Sequence, residues 1–319
     1  MKKALIIGVS GQDGSLLADL LLQEGYYVIG TSRDHEVNTF SRLAKLGIRD
    51  RIRLTSVITS DFRSVLTALQ QFEPDEVYNL AGQTSVGMSF LYPVETFDSI
   101  LTGTINLLEC IRLMGKKVRF YSAGSSECFG NTQGPATELT PFSPRSPYAT
   151  AKAAAHYAIA NYREAYGLFA CTGILFNHES PMRPPRFVTQ KIVGAATRIA
   201  GGSPERLCLG NLNIRRDWGW ASEYVRAMWL MLQLESPKDI VVATGEEHTL
   251  QEFVDRVFSL FGLDWRAHVD VDERLFRPSD IEHSCGDASL AFSQLGWKAD
   301  TKFSRVVERL VDAARKQTA

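Results

Sequence analysis

KALIIGVSGQDGSLLADLLLQ, residues 3–23, joins a short apolar run to a glycine-rich turn and then to a helical pattern. Ala4–Gly8 is an unbroken apolar run ending in glycine, which predicts a buried strand. Leu16, Leu17, Leu20 and Leu21 recur at helical spacing within 13–24, which predicts a helix. Between them Gly8, Gly11 and Gly14 have a GxxGxxG spacing, one residue different from GxGxxG. Gly8 permits a tight turn, Gly11 lets backbone approach a pyrophosphate, and Gly14 allows the helix to pack closely. The helix N-terminus adds N–H donors and a positive dipole end. Such a triplet also marks ordinary loops. Placed between a buried strand and a helix, it predicts a dinucleotide site, with Gln12 and Asp13 of the same turn beside the cofactor.

Outward from that unit the pattern keeps alternating. Tyr27–Thr31, Arg53–Val57, Glu76–Leu80 and Val118–Ser122 predict further strands. Phe62–Phe72, 98–114 and an Ala-rich stretch at 148–166 predict helices. Strands alternating with helices imply βαβ units and right-handed crossovers, hence a doubly wound parallel α/β sheet. After about residue 180 the pattern loosens. Pro and Arg cluster at 181–187, helices are predicted at 188–200, 221–235 and 250–261 with short strands between them, and a Pro-bearing loop lies at 274–280. The expected organisation is a dinucleotide-binding domain over 1–180 and a smaller mixed α/β lobe over 181–319, with an interleaved boundary.

The chain has 319 residues, 45% hydrophobic and 22% charged, which suits a packed globular protein and excludes a disordered or collagen-like one. Lys plus Arg is 35 against 36 for Asp plus Glu, so the basic excess of a general nucleic-acid binder is missing. The five cysteines show no CxxC spacing and the six histidines no HExxH, so no metal site is expected. The start MKKALIIG is too short an apolar run for a signal peptide, and no stretch approaches a membrane span. A cytoplasmic protein is expected.

The second strand ends in Ser32-Arg33-Asp34. An acid at the strand tip would bond a ribose 2′-OH, whereas an arginine accommodates a 2′-phosphate. Arg33 comes first, which favours NADP, with Asp34 next to it as the competing signal. Asp61 opens the helix after strand three, as an N-cap or as an adenine contact. Leu80, Ala81 and Gly82 end strand four, where small residues let the cofactor lie close. Ser146-Pro147 then opens a helix carrying Tyr148 and Lys152 on one face. A lysine beside the phenol, with a positive nicotinamide ring nearby, would favour the phenolate and make Tyr148 a base for a substrate hydroxyl. Strand five leads into Ser125, Ser126 and Glu127. Ser125 is placed to bond the reacting hydroxyl. Glu127, if not a solvated loop charge, is a second acid/base that extends the chemistry from oxidation to loss of water.

Gly8/Gly11/Gly14, Ser125 and Tyr148/Lys152 together resemble the extended short-chain dehydrogenase/reductase superfamily. The strings GQDGS (11–15), SSECFG (125–130), PFSPRSPYATAK (141–152), NYREAYGLFA (161–170), GILFNHESP (173–181), FVTQKI (187–192), LGNLNIRRDWG (209–219) and RPSD (277–280) are narrower, and resemble the GDP-mannose 4,6-dehydratase family over nearly the whole chain. The resemblance implies Tyr148 as base, Lys152 as its partner, Ser125 on the hydroxyl and Glu127 as dehydration acid/base. It implies His178 on the cofactor side. Ser85, Ser126, Asn177, Glu179, Lys191, Gly210, Arg216 and Arg277 would face the sugar or the GDP moiety. It further implies a tightly bound, recycled NADP, GDP-mannose or a related GDP-sugar as substrate, and a homodimer or homotetramer.

Two departures stand out. The family carries two consecutive arginines where this chain has Arg33-Asp34, and Met182-Arg183-Pro184-Pro185-Arg186 replaces Arg and small residues after the NHESP string. A GDP-manno-heptose dehydratase stays open as an alternative. A 4-epimerase or a keto-sugar reductase would use the same Tyr–Lys pair but needs no acid at 127. A non-enzymatic NADP-binding regulator would tend to lose Tyr148 or Lys152.

Overall fold

Lys3–Ile7 forms strand β1, with Ala4, Leu5, Ile6 and Ile7 at most 1% exposed. A strand buried on both faces is covered by helices on each side, so the alternation read from the sequence sets the architecture. The structure, a computed structural model, describes residues 1–318. Its further strands are β2 (Tyr27–Ser32), β3 (Arg53–Ser56), β4 (Glu76–Asn79), β5 (Arg119–Ala123), β6 (Phe169–Leu175), β7 (Asn177–Glu179), β8 (Leu207–Leu209), β9 (Arg215–Trp220), β10 (Ile240–Val242), β11 (Glu247–Thr249) and β12 (Val269–Val271). The α-helices are α1 (Gln12–Gln23), α2 (Ser41–Lys45), α3 (Phe62–Phe72), α4 (Val86–Leu91), α5 (Pro93–Phe97), α6 (Gly103–Met114), α7 (Pro147–Tyr166), α8 (Val188–Ala200), α9 (Ala221–Met231), α10 (Leu250–Leu260), α11 (Ser289–Leu295) and α12 (Phe303–Thr318).

The main sheet runs β10-β6-β5-β4-β1-β2-β3, and every pairing in it is parallel. The order reverses at β1, between β4 and β2, so a crevice opens at the carboxyl ends of these strands, where α/β sheets bind ligands. The Gly8–Gly14 turn, Leu80–Gly82 and Ser125–Glu127 all lie at that end. Two small sheets, β11-β9-β7 and β12-β8, build the second lobe. Its core includes Ile192, Ala196, Trp218, Phe253, Phe258 and Val307. The lobes interleave: β10 returns to the main sheet, and Tyr224 and Met228 of α9 share a core with Leu17 and Leu21 of α1.

Two details shape the crevice. Asp98–Thr102, within the stretch predicted as helix, forms a π-helical turn before α6. Asp98 and Ser99 of that turn line a cavity of about 550 Å³ at the ends of β2 and β3. Gly14 meets the carbonyl of Gly8: a Cβ there would lie 2.3 Å from Gly8 O and 2.7 Å from Val9 Cα. Both are backbone atoms, which cannot step aside. Gly14→Ala is therefore expected to destabilise the fold by about 1–3 kcal/mol, read as a lower urea midpoint at unchanged slope. A midpoint equal to the parent's would contradict this packing account.

Candidate active site and cofactor groove

Gly8 has φ of +90°, a left-handed conformation that favours glycine, and a Cβ there would press on Leu80 and Ala81 backbone. This brings the turn against the end of β4. Gly11 is the N-cap of α1 and offers no side chain to it, so the first N–H groups of the helix face outward unclaimed by a capping group. Ser32 Oγ, at the tip of β2, is buried without a partner. These features fit a dinucleotide: the turn and α1 would hold the pyrophosphate, and Ser32 with the cavity bounded by Arg33, Thr59, Ser60, Tyr92 and Ser99 would hold the adenosine end.

Asp61 is the N-cap of α3, and its Oδ1 accepts from Arg63 N at 2.9 Å and Ser64 N at 3.2 Å. Of its two sequence readings the structure shows the capping one. Gly82 has φ of +128° and packs against Ile100.

Gln12 and Asp13 do more than line the turn. Gln12 Nε2 donates to the His178 carbonyl at 3.2 Å, and Ser180 Oγ donates to Gln12 Oε1 at 2.8 Å. His178 Nδ1 lies 2.7 Å from the Phe176 carbonyl and Nε2 lies 3.0 Å from Asp13 Oδ2. Both neighbours only accept, so both ring nitrogens carry hydrogen and His178 is an imidazolium. Burial opposes that charge, but Asp13 outweighs burial and holds His178 above its ordinary range. The reverse effect brings Asp13 down to about 2 against its own desolvation. The ring stacks on Tyr224 at 4.6 Å.

Ser146 caps α7, accepting from Ala149 N at 3.1 Å, with Pro147 in the first turn. The cap aims Tyr148 and Lys152 at the end of β5. Ser125 is the polar side chain on the Tyr148 phenol. Burial pushes that phenol well up, and the Ser125 hydrogen bond pulls it partly back. Lys152 Nζ donates to the Ala123 carbonyl at 2.7 Å and stands 6.0 Å from the Tyr148 ring centre. Burial lowers its pKa to about 8. Desolvation is the largest influence on the phenol. Cys128 is sealed beneath this set, donating to the Ala149 carbonyl at 3.6 Å, with its thiol pushed up to about 12 by burial.

Glu127 sits in the short turn Ser126–Phe129, with Ser126 buried behind it. Its charge raises both the Tyr148 phenol and the Arg216 guanidinium pKa, as one contribution among several. Arg216, on β9 and 4% exposed, donates to the Ile281 carbonyl at 2.7 Å and pairs with Asp280 at 3.1 Å. Arg277 reaches the same carboxylate at 3.5 Å. Asp280 therefore gathers the two arginines at the mouth of the crevice.

The other residues expected at the substrate are spread along the second lobe. Asn177 is half-buried on β7. Glu179 is buried, accepts from Thr189 Oγ1 at 2.6 Å and pairs with Arg183 at 3.4 Å. Ser85 caps α4 by accepting from Met88 N. Lys191 is exposed and donates to the Cys208 carbonyl at 2.7 Å. Gly210 lies against the Leu275 carbonyl, 3.1 Å from where a Cβ would stand.

Sequence reading passed over Arg183, seeing only a departure from the family. Its NH1 donates to the His178 carbonyl at 2.9 Å, and its charge acts on Asp13, His178 and Tyr148. The signal was an arginine two residues after NHESP, directly beside the segment that bonds to Gln12 and Asp13.

A sequence model of the family described as GDP-mannose 4,6 dehydratase matches residues 5–310. The chain is 48% identical over 321 residues to GDP-mannose 4,6 dehydratase 1 of Arabidopsis thaliana, covering 98% of this chain and 89% of that protein. It is 41% identical over 346 residues to the GDP-mannose 4,6-dehydratase of Yersinia enterocolitica, covering 98% and 93%. Among solved structures, Thermus thermophilus UDP-glucose 4-epimerase in complex with NAD superposes with a TM-score of 0.85 at 26% identity, over 98% of this chain and 99% of that one.

Proposed function

The chain belongs to the GDP-mannose 4,6-dehydratase family, and from that premise we infer that it converts GDP-mannose to GDP-4-keto-6-deoxymannose and water. It is a nucleotide-sugar hydro-lyase. The observation that carries the reading is Glu127: a carboxylate in the Ser126–Phe129 turn that Ser125 caps, at the end of β5 where Lys152 also bonds the Ala123 carbonyl. An epimerase or a reductase has no use for that group.

Each protein residue then has a task. Tyr148 takes the proton of the C4 hydroxyl, with Ser125 orienting that hydroxyl. The C4 ketone acidifies the C5 proton. Glu127 removes the C5 proton and helps the C6 hydroxyl leave as water. A nicotinamide held by the Gly8–Gly14 turn and Lys152 would supply the hydride chemistry, with hydride taken up from C4 and given back at C6. C5 is then reprotonated, and the proton that Tyr148 took from the C4 hydroxyl closes the balance against the one lost in water. Lys152 holds the ribose side of the groove. Arg216 and Arg277 suit the GDP diphosphate, with Lys191 and Gly210 further along the nucleoside. The segment 177–180 closes the crevice over the reactive ketone. Proton NMR of GDP-mannose incubated with the purified protein, with no cofactor added, tests the reading. A new C6 methyl doublet is expected, and its absence even with NADP supplied would overturn it.

The cofactor in this reading is NADP. Asp34 Oδ1 accepts from Glu36 N at 2.9 Å and Val37 N at 3.4 Å, so that oxygen is engaged by its own turn. Arg33 stands free for a 2′-phosphate, with only a 3.7 Å contact to Glu95 and an 86% exposed side chain. Arg33→Ala is expected to reduce the preference for NADP over NAD by about 10–100-fold, the worth of a charge-assisted phosphate contact. The ratio of the two dissociation constants measures this, and an unchanged ratio would remove Arg33 from the site. Exposed Val37, Leu91 and Val94, at 77%, 70% and 75%, fit burial against a second copy in a homodimer or homotetramer. No helix among the described residues is long and apolar enough to cross a membrane, and a cytoplasmic enzyme agrees with that.

A further inference from the structure

We propose that Arg42 is a positioning residue that clasps the glycine-rich turn to the segment after β7 and so slows release of the bound dinucleotide. The proposal rests on the reading that a nicotinamide dinucleotide occupies the groove. Arg42 is half-buried on α2, outside the set of groups assigned to substrate or cofactor. Its Nε donates to the Met182 carbonyl at 2.6 Å, and its NH1 donates to the Ser10 carbonyl at 2.9 Å. Ser10 lies inside the GxxGxxG turn, and Met182 lies just past the residues that close the crevice. One planar guanidinium therefore spans the two chain segments between which the dinucleotide would lie. A lysine, with a single nitrogen, cannot reproduce that fork.

A second observation supports a set position for Arg42. The residue two before it, Phe40, is 1% exposed and has φ of +47°, a left-handed conformation unusual for a bulky side chain. Asn38 Oδ1 accepts from Phe40 N at 2.9 Å and holds that bend. The strained entry fixes where α2 starts, and Arg42 projects from its first turn.

The clasp has a purpose in this chemistry. The reaction is redox-neutral, so a cofactor that stays bound can serve successive turnovers. The Gln12–His178, Gln12–Ser180 and Asp13–His178 contacts bridge the same two segments. Arg42 is the member of this group that belongs to neither segment.

The test loads the full chain with radiolabelled NADP, removes free label and follows its loss during a chase with unlabelled NADP. Arg42→Met is expected to release label about 10–100-fold faster than the parent, as two charge-assisted hydrogen bonds are lost. Its turnover of GDP-mannose at saturating NADP should stay within about two-fold. Arg42→Lys should fall between the two in release rate, and it carries the test if Arg42→Met does not fold. Release at the parent rate in a folded variant overturns the clasp. So does a turnover that falls in step with thermal stability, which would make Arg42 an ordinary structural residue. A parent chain that retains no label overturns the cofactor reading itself, and that outcome is distinct from the other two.

Discussion

Tyr148→Phe is expected to lower turnover of GDP-mannose by about 10²–10⁴-fold, the usual worth of a positioned acid/base, while leaving the bound dinucleotide in place. The phenol is buried, and the group that touches it is Ser125, whose hydroxyl is too weak a base to substitute. Phenylalanine fills the same space on the first turn of α7, so the cap by Ser146 and the Lys152–Ala123 bond persist. The loss should therefore appear in kcat, with little change in KM for the substrate. Product formation measured over hours by chromatography would detect it. A variant within about ten-fold of the parent would transfer the base role elsewhere, and Glu127 would be the next group to examine.

Glu127→Gln separates the two halves of the reaction. Turnover is again expected to fall by about 10²–10⁴-fold, but for a different reason. Tyr148 and Ser125 remain, so the C4 hydroxyl can still be deprotonated and the carbon oxidised. Without a carboxylate the C5 proton stays and water is not lost. Mixing this variant with GDP-mannose should give a stable rise in the absorbance of reduced nicotinamide, limited to one equivalent per site. No deuterium should enter C5 in heavy water. Rapid C5 exchange in the variant would show that another group takes that proton, and Glu127 would become a partner of Arg216 only. The contrast with Tyr148→Phe, in which no such rise is expected, separates the two roles.

The fold was legible where the pattern is long and local. A buried run ending in Gly8, followed by leucines at helical spacing, specifies β1, the turn and α1 within twenty-one residues. Ser146-Pro147 marks the start of α7, and so the placement of Tyr148 and Lys152, for the same reason: the cap is a contact between neighbours in sequence. Short strands are expected between the later helices, but their positions, like the long-range contacts, were not legible. β7, β8, β10, β11 and β12 have three residues each, too few for any period to appear. β6 follows α7 after only Gly167 and Leu168, and α12 lies beyond the last helix read from the sequence. Arg183 and Arg42 act through carbonyls of His178, Met182 and Ser10. A carbonyl carries no side-chain signature, so no sequence spacing announces those bonds. Arg33-Asp34 is ambiguous as a pair of letters; what the structure adds is that Asp34 Oδ1 accepts from Glu36 N and Val37 N of its own turn.

The central claim is that Tyr148 and Glu127 act in one closed cycle, in which the hydrogen taken from C4 returns to C6 of the same sugar. GDP-[4-²H]mannose tests it directly. The purified protein, given no added cofactor, should convert it to GDP-4-keto-6-deoxymannose whose C6 methyl group carries the deuterium, as read by NMR and mass spectrometry. A methyl group without deuterium, or label found in free reduced cofactor, would contradict the closed cycle and return the site to the oxidoreductases.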